Sequence, residues 1–176
     1  MIAADHRITL REFVLQTPLV RRLDVGAGRS VAVRYATLAA LRSECILVLS
    51  LVARVSSAAF VDAVDAATAA AAAFGRGAAT CCDLQIQQPE LLPAAALNFN
   101  EIRQALGRIA QLAPLGKPAL IKALVTAAQS PAQADTLSAD SADIVRAICS
   151  VIDAPLPPAV DTQDGSNQKN SGSQFG

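Results

Sequence analysis

Residues 35–55 read YATLAALRSECILVLSLVARV, and this stretch decides the fold class. Its apolar positions recur at spacings of three and four, which places them along one stripe of an α-helix. They are Leu38, Leu41, Cys45, Val48 and Val52. Leu47, Leu49 and Leu51 widen the stripe. The pattern therefore predicts a helix that lies at the centre of a bundle.

The composition of the 176 residues indicates the same class. Apolar residues make up 52% of the chain and aromatic residues only 3%, with no Trp. Ala and Leu are strong helix formers, and the β-branched residues do not alternate with polar ones as they do in half-buried strands. We therefore predict an all-α protein, an irregular bundle of about six or seven helices.

The charge balance excludes some classes of partner. Lys and Arg total 15, Asp and Glu total 15, and the formal net charge is zero. Domains that bind nucleic acid usually carry a basic excess, so we expect no nucleic-acid partner. The longest apolar run, residues 45–53, has about half of the roughly 20 residues that span a bilayer, and the start lacks a secretory signal pattern. We expect the isolated chain to be soluble and cytoplasmic.

An amphipathic helix is predicted near the start of the chain. Thr9 and Glu12 form a capping-box pattern, and residues 10–24 follow it, with Pro18 kinking or restarting the helix. Its apolar face consists of Leu10, Phe13, Val14, Leu19, Val20 and Leu23. Residues 25–30 form a break.

Two further helices are predicted on the C-terminal side of the central one. Ser56 or Ser57 is expected to cap the first, and Gly75 is expected to end it, because glycine is a common helix stop. Residues 78–96 are the least regular part of the chain. Asn98 or Asn100 is then expected to cap a helix that runs to about residue 113.

The last two predicted helices are delimited by proline and serine. Pro118 suits the first turn of one of them, with Leu120, Ile121, Leu124 and Val125 directed inward, and residues 130–131 break it. Ser138 is expected to cap the other. Residues 155–158, PLPP, end the ordered chain, and residues 161–176 are too polar to offset their ordering entropy, so we predict a disordered tail.

A weak internal repeat relates two of the helix starts. Residues 4–9 (ADHRIT) and 134–138 (ADTLS) each place Ala-Asp in a turn, followed by an aliphatic residue and a hydroxyl N-cap. The repeat predicts two related helical hairpins that flank a middle section within one helical domain, residues 1–160.

The same two regions carry a family resemblance. Residues 4–13, ADHRITLREF, resemble an Ala-Asp-Gly-Arg turn motif. Residues 143–148, DIVRAI, followed by residues 153–158, DAPLPP, resemble a helix end that closes on Pro-[Leu/Met]-Pro-Pro. Both are similar to the C-terminal helical region of bacterial membrane zinc metallopeptidases of the HtpX type, a region that also resembles TerB-like domains. The resemblance covers roughly residues 1–160.

This resemblance implies a non-catalytic accessory domain. The family's protease portion carries a His-Glu-x-x-His zinc motif, whereas His6 is the only histidine of this chain. The resemblance therefore implies no enzyme activity and no zinc in this chain, which would be a truncated or split piece of a membrane-associated parent. Its partner would be a protein, either the protease portion or another one, with self-association through exposed apolar faces as a further outcome.

Two alternatives stay open at this point. The chain could be a free-standing TerB-like module that binds proteins in trans, or an enzyme of a type that the sequence does not reveal. No small-molecule substrate is evident, and we predict no catalytic, cofactor-binding or metal-binding residue.

Several residues could carry chemistry, and each has a simpler interpretation. His6 has no second histidine near it in sequence, which favours a surface turn residue. Cys81 and Cys82 lack the Cys-x-x-Cys spacing of redox and zinc sites, and adjacent cysteines do not form a relaxed disulfide easily. Cys45 and Cys149 lie on apolar faces and are interpreted as packing residues.

Two further patterns are also interpreted as surface features. Residues 26–30, GAGRS, lack the Gly-Lys-[Ser/Thr] ending of a phosphate-binding loop and are interpreted as a linker. A modest basic patch could contact acidic lipid headgroups or a partner, although a solvated surface is the simpler interpretation. Its members are Arg21, Arg22, Arg29 and Arg34.

Overall fold

Helix α1 (Arg42–Ser56) is the central element of the fold, as the apolar stripe predicts. In the computed structural model, which describes residues 32–58, 62–84, 91–130 and 133–161, α1 packs against four other helices. Cys45, Val48, Leu49 and Val52 are completely buried. Burial of this extent requires neighbours on several sides of the helix, and α1 has them.

The helices of the described residues form an all-α fold, which confirms the predicted class. After α1 they are α2 (Ala63–Thr80), α3 (Phe99–Ile109), α4 (Lys117–Ala128), α5 (Ala139–Ile152) and α6 (Pro158–Asp161). Short 3-10 turns lie at Leu38–Leu41, Cys82–Leu84, Ala94–Ala96 and Pro114–Gly116.

The first residues of the quoted stretch are not helical. Tyr35 forms an isolated parallel bridge with Leu112, in which the Ala113 N–H donates to the Tyr35 carbonyl at 2.8 Å. This pairing also explains why α3 ends at Ile109 instead of near residue 113. The backbone that follows α3 pairs with Tyr35 instead of continuing the helix.

The start of α2 differs from the prediction. Asp62 caps this helix, because its Oδ1 accepts the Val64 N–H at 2.7 Å. Ser56 and Ser57 instead donate from their hydroxyls to the Ala53 carbonyl, each at 2.9 Å, at the end of α1. Their hydroxyls are engaged at a helix C-terminus, so neither serine caps α2.

The prediction that Gly75 ends α2 is wrong. The helix continues through Gly75 and Gly77 to Thr80. Helices α2 and α4 are in extensive contact, and a Cβ atom at Gly77 would lie only 2.7 Å from the Ala123 carbonyl oxygen of α4. Gly77 allows the two helices to pack closely. This packing compensates for the low helix propensity of glycine.

Other local signals are confirmed. The side chain of Asn98 accepts the Glu101 N–H at 3.0 Å and caps α3. Pro118 lies in the first turn of α4. The Ser138 hydroxyl accepts the Ser141 N–H at 3.2 Å and caps α5.

A short β-hairpin joins α4 to α5, where the sequence predicted a turn. Strand β1 (Gln129–Ser130) pairs antiparallel with β2 (Gln133–Leu137). Gln129 leaves α4 with extended backbone angles, φ −71° and ψ 138°. Pro131 follows β1 and disfavours a helical conformation of the residue before it, so the chain extends and reverses.

The described helices share one apolar core of Leu, Ile, Val and Ala side chains. It extends to α6, where Val160 is completely buried. The chain therefore packs against the core beyond residues 155–158, where the ordered part was expected to end. The predicted helix over residues 10–24 and its capping box lie outside the described residues. The predicted tail, residues 161–176, also lies outside them except for Asp161, which is the last residue of α6 and not part of a tail.

Candidate functional site

An apolar groove runs along the outer side of α4. Its volume is about 480 Å³. It is lined by Pro118, Ile121, Lys122, Val125, Thr126, Gln129, Pro155 and Pro157. The first five belong to α4, Gln129 follows that helix directly, and the two prolines belong to the segment after α5.

The α4 wall of the groove is one face of a helix. Each of its members lies three or four residues from members on the neighbouring turn, so together they form one face along the axis. The opposite face of α4 carries Leu120 and Leu124, both completely buried in the core. Val125, which the sequence placed among the inward residues, is half-buried and lines the groove.

The second wall is formed where the chain turns back after α5. Asp153 adopts a left-handed conformation, φ 57° and ψ 56°, and the Ala154 N–H donates to the Cys149 carbonyl at 3.0 Å. This is a common way to end a helix and redirect the chain. Pro155 and Pro157 then border the groove, and since proline has no N–H, they give this wall an apolar surface.

Lys117 links the two walls at one end. Its Nζ donates to the carbonyl of Ile152, at the end of α5, over 2.6 Å. The side chain is buried, with 7% of Lys117 exposed, and a cation at a helix C-terminus is favoured by the helix dipole. The first turn of α4 is thereby attached to the segment that carries the two prolines.

The polar groups of the groove lie among aliphatic and proline side chains. Lys122 is exposed at the rim, and the Thr126 hydroxyl donates to the Lys122 carbonyl at 2.9 Å. Gln129 closes the groove at the end of α4. A groove with this lining suits the apolar side chains of a protein segment, in the manner of a helix laid in a hydrophobic groove.

Several polar side chains elsewhere in the described residues hold the fold together. Three arginines donate to backbone carbonyls that are distant in sequence, at 2.7–3.2 Å. The pairs are Arg42 with Leu84, Arg54 with Leu92, and Arg76 with Gln129. Through these hydrogen bonds, α1 holds the Cys82–Leu84 turn and the segment around Leu92, and α2 holds strand β1.

The four cysteines are free thiols and occupy two kinds of environment. Cys45 and Cys149 are buried in the core, as predicted, and so is Cys81, whereas Cys82 is exposed. Burial raises the pKa of Cys45 to about 12, with smaller contributions from Cys81 and Glu44. Burial also raises the pKa of Cys149 to about 11. Both side chains are therefore neutral at physiological pH.

The remaining sequence candidates are mostly outside the described part of the chain. His6, the residues 26–30 and three arginines of the basic patch (Arg21, Arg22 and Arg29) lie there. Arg34 is described and exposed, and its backbone N–H donates to the Gln111 carbonyl at 2.9 Å. Among the described residues, no three His, Cys, Asp or Glu side chains are grouped so that they could hold a metal ion.

None of the helices in the described ranges combines the length and the apolar character needed to cross a membrane. Comparisons of the chain with protein families, with curated proteins and with solved structures give no match.

Sequence reasoning did not identify the groove. It treated Pro155 and Pro157 as the end of the ordered chain and assigned Val125 to the core. A usable signal was the row Pro118, Lys122, Val125 and Gln129, whose mixed polarity differs from the wholly apolar row of the opposite face. The second wall depends on a chain reversal at Asp153, and no local pattern predicts that residue's left-handed backbone.

Proposed function

We propose that this chain is a non-catalytic helical domain that binds protein through the α4 groove. We further propose that it corresponds to the C-terminal helical region of an HtpX-like membrane zinc metallopeptidase. The single observation that carries the proposal is the groove itself, an apolar surface bounded by Val125 on one side and Pro155 and Pro157 on the other.

The dimensions and lining of the groove favour a protein segment as ligand. Helix α4 has 12 residues, which corresponds to about 18 Å along its axis at 1.5 Å per residue. A partner helix of about three turns would fit that length. Apolar side chains of the partner would contact Val125 and the prolines, while Lys122 would meet water or a carboxylate at the rim.

One of the stretches that carry the resemblance also contributes to the groove. Residues 143–148, which resemble the family's helix, lie in α5, where Ile144 and Ile148 are completely buried. Residues 153–158, which resemble the family's Pro-rich ending, provide Pro155 and Pro157 of the groove wall. The Pro-rich ending that carries part of the resemblance therefore provides one wall of the proposed binding surface.

Polar and charged side chains near the core bind backbone groups of the same chain, so their role is structural. Lys117 and Arg54 donate to backbone carbonyls, and the buried hydroxyl of Ser50 accepts the Leu92 N–H. These groups stabilise helix ends and connections within the fold, whereas the groove presents apolar side chains at the described surface and is the surface that we propose for binding.

The test is binding to the protease portion of an HtpX-like metallopeptidase from the same genome. The purified full chain is titrated against that portion in detergent, and the dissociation constant is measured. Val125→Glu places a carboxylate in the groove and is expected to weaken binding at least about tenfold, or about 1.4 kcal/mol. Val64→Glu is the matched control, because Val64 is 73% exposed and lies outside the groove.

Two results would contradict the proposal. One is a protease portion that does not bind the chain. The other is equal binding by the two variants, which would separate binding from the groove. Binding of a different protein through Val125, without binding of the protease portion, would favour the alternative of a free-standing TerB-like module.

A further inference from the structure

We infer that, when no other protein is bound, the α4 groove is occupied by residues 10–24 of the same chain. This inference rests on the proposed function, since it takes the groove to be the interaction surface, and it names the segment that covers it. Three features carry it: the place where the described chain begins, the apolar side chains exposed there, and the length of the segment.

The described chain begins beside the start of α4. The Arg34 N–H donates to the Gln111 carbonyl at 2.9 Å, and the Ala113 N–H donates to the Tyr35 carbonyl at 2.8 Å. The Pro114–Gly116 turn follows at once and leads into α4. Arg34 and Tyr35 therefore lie next to residues 111–113, which lead through the Pro114–Gly116 turn to Pro118, the groove residue at the start of α4.

Apolar side chains are exposed in the two segments that meet before α4. Leu115 is 94% exposed and Val33 is 58% exposed. They are two of the three large apolar side chains that are exposed among the described residues. Leu115 lies in the turn that leads into α4, three residues before Pro118, and Val33 lies two residues before Tyr35, which pairs with the residues that precede this turn. A covering segment would bury both side chains.

The sequence before residue 32 has the pattern of such a covering segment. Residues 10–24 carry an apolar face that includes Phe13, Val14 and Leu23. Seven residues, 25–31, which include the predicted break at 25–30, link it to the described chain. Fifteen residues correspond to at most about 22 Å as a helix that is kinked or restarted at Pro18, which is long enough to cover the roughly 18 Å of α4. The seven-residue linker spans at most about 25 Å when extended, so the segment can reach the whole groove.

The point of entry also sets the direction. Because the linker arrives at the Pro118 end, residues 10–24 would run antiparallel to α4, with Leu23 near Pro118 and Phe13 near Val125 or Gln129. A protein partner must then displace the segment. Its apparent affinity is reduced by the fraction of chains in which the groove is already occupied.

Site-specific photocrosslinking tests this arrangement in the full chain. A p-benzoylphenylalanine replaces Val125, the chain is irradiated, and crosslinked peptides are identified by mass spectrometry. Light and heavy-isotope-labelled chains are mixed beforehand, so that crosslinks within one chain differ in mass from crosslinks between two chains. The expected result is a crosslink from position 125 to residues 10–24 of the same isotope label.

Two controls make the assignment specific. The probe at position 64, outside the groove, is expected to give no crosslink to residues 10–24. Phe13→Glu is expected to lower the yield from position 125 several-fold while circular dichroism shows unchanged helix content. If the probe at position 125 prevents folding, the exposed Lys122 at the rim carries it instead.

Other outcomes overturn the inference. Crosslinks of mixed isotope label would identify a second copy as the occupant, and crosslinks to residues 162–176, or none at all, would leave residues 10–24 without a role in the groove. If Val125→Glu still weakens binding of the protease portion at least about tenfold in those cases, the proposed function stands and only this inference fails. An intramolecular crosslink to residues 10–24 without any binding of the protease portion would instead support the inference and overturn the proposed function.

Discussion

Gly77 of α2 lies directly against the backbone of α4, at the carbonyl of Ala123. A Cβ atom at Gly77 would be 2.7 Å from the Ala123 oxygen and 2.8 Å from Leu49 Cδ1. These distances are too short for a side chain, so the two helices can approach this closely only with glycine at position 77. Glycine within a helix costs about 1 kcal/mol relative to alanine, and the close packing of α2 on α4 offsets that cost.

Alanine substitutions at the two glycines of α2 are expected to have opposite effects. Gly77→Ala forces the helices apart and should lower the free energy of unfolding by about 1–3 kcal/mol. Gly75→Ala meets nothing within 4 Å and should raise it by about 0.5–1 kcal/mol, because alanine has less backbone entropy to lose. Urea denaturation followed by circular dichroism measures both. Equal stabilisation by the two substitutions would show that Gly77 is not at a close contact.

The contrast between these glycines also shows what the sequence can predict. The stripe of α1 and the caps at Asn98 and Ser138 are encoded within a few residues, and periodicity and capping chemistry predict them correctly. The role of Gly77 depends on Ala123, which is 46 positions away in the chain. A local rule therefore assigned a helix stop to the sequence around Gly75, where tertiary packing maintains a helix.

The errors at the other boundaries have the same origin. Asp62, rather than Ser57, caps α2, because the Ser57 hydroxyl is engaged by the Ala53 carbonyl. The hairpin after α4 requires pairing of two backbones, which no apolar pattern specifies. The groove requires α4 and the Pro155–Pro157 segment to be adjacent, and their adjacency depends on the chain reversal at Asp153 and on Lys117.

Removal of the Lys117 ammonium is expected to destabilise the fold. Lys117→Met keeps most of the buried aliphatic stem but removes the donor to the Ile152 carbonyl, which lies 2.6 Å from Nζ. A lost hydrogen bond from a charged group should lower the free energy of unfolding by about 1.5–3 kcal/mol. The matched control is Lys122→Met, since Lys122 is exposed, and its effect should stay within about 0.5 kcal/mol. A similar effect of the two substitutions in urea denaturation would contradict the role given to Lys117.

The stability of the protein is expected to fall in alkaline solution through Cys45. Burial raises the pKa of this thiol from 9.0 to about 12 in the folded protein. Between these values the unfolded chain binds fewer protons than the folded one, so the free energy of unfolding decreases as the pH rises. The stabilising contribution is fully present below about pH 9 and is lost as the pH approaches about 12.

Unfolding free energies measured from about pH 8 to about pH 11 test this linkage. Cys45→Ala should show a smaller decrease with pH than the wild-type protein, because the titrating thiol is gone. Val48→Ala is the control, since Val48 is equally buried on the same helix but does not titrate. It should lower stability at every pH without changing the slope. An unchanged slope in Cys45→Ala would rule out this thiol as the source.

The hydroxyl of Ser50 is expected to control local opening of the segment before α3. Ser50 is completely buried, and its Oγ accepts the Leu92 N–H at 3.1 Å. Arg54 donates to the carbonyl of the same Leu92 from Nε and Nη2, at 2.9 and 2.7 Å. Both polar backbone groups of Leu92 are thus bound by side chains of α1, which attaches this irregular segment to the central helix.

Ser50→Ala leaves the Leu92 N–H without its acceptor and should lower the free energy of local opening by about 1 kcal/mol. Amide hydrogen exchange at Leu92 is then expected to accelerate several-fold, while exchange within α3 stays unchanged, because Arg54 still binds the carbonyl. Ser43→Ala is the control, since Ser43 is exposed at the first turn of α1. Equal exchange rates at Leu92 in the two variants would contradict this prediction. The Ser50 hydrogen bond would then not limit opening of the segment, and Arg54 alone would hold it against α1.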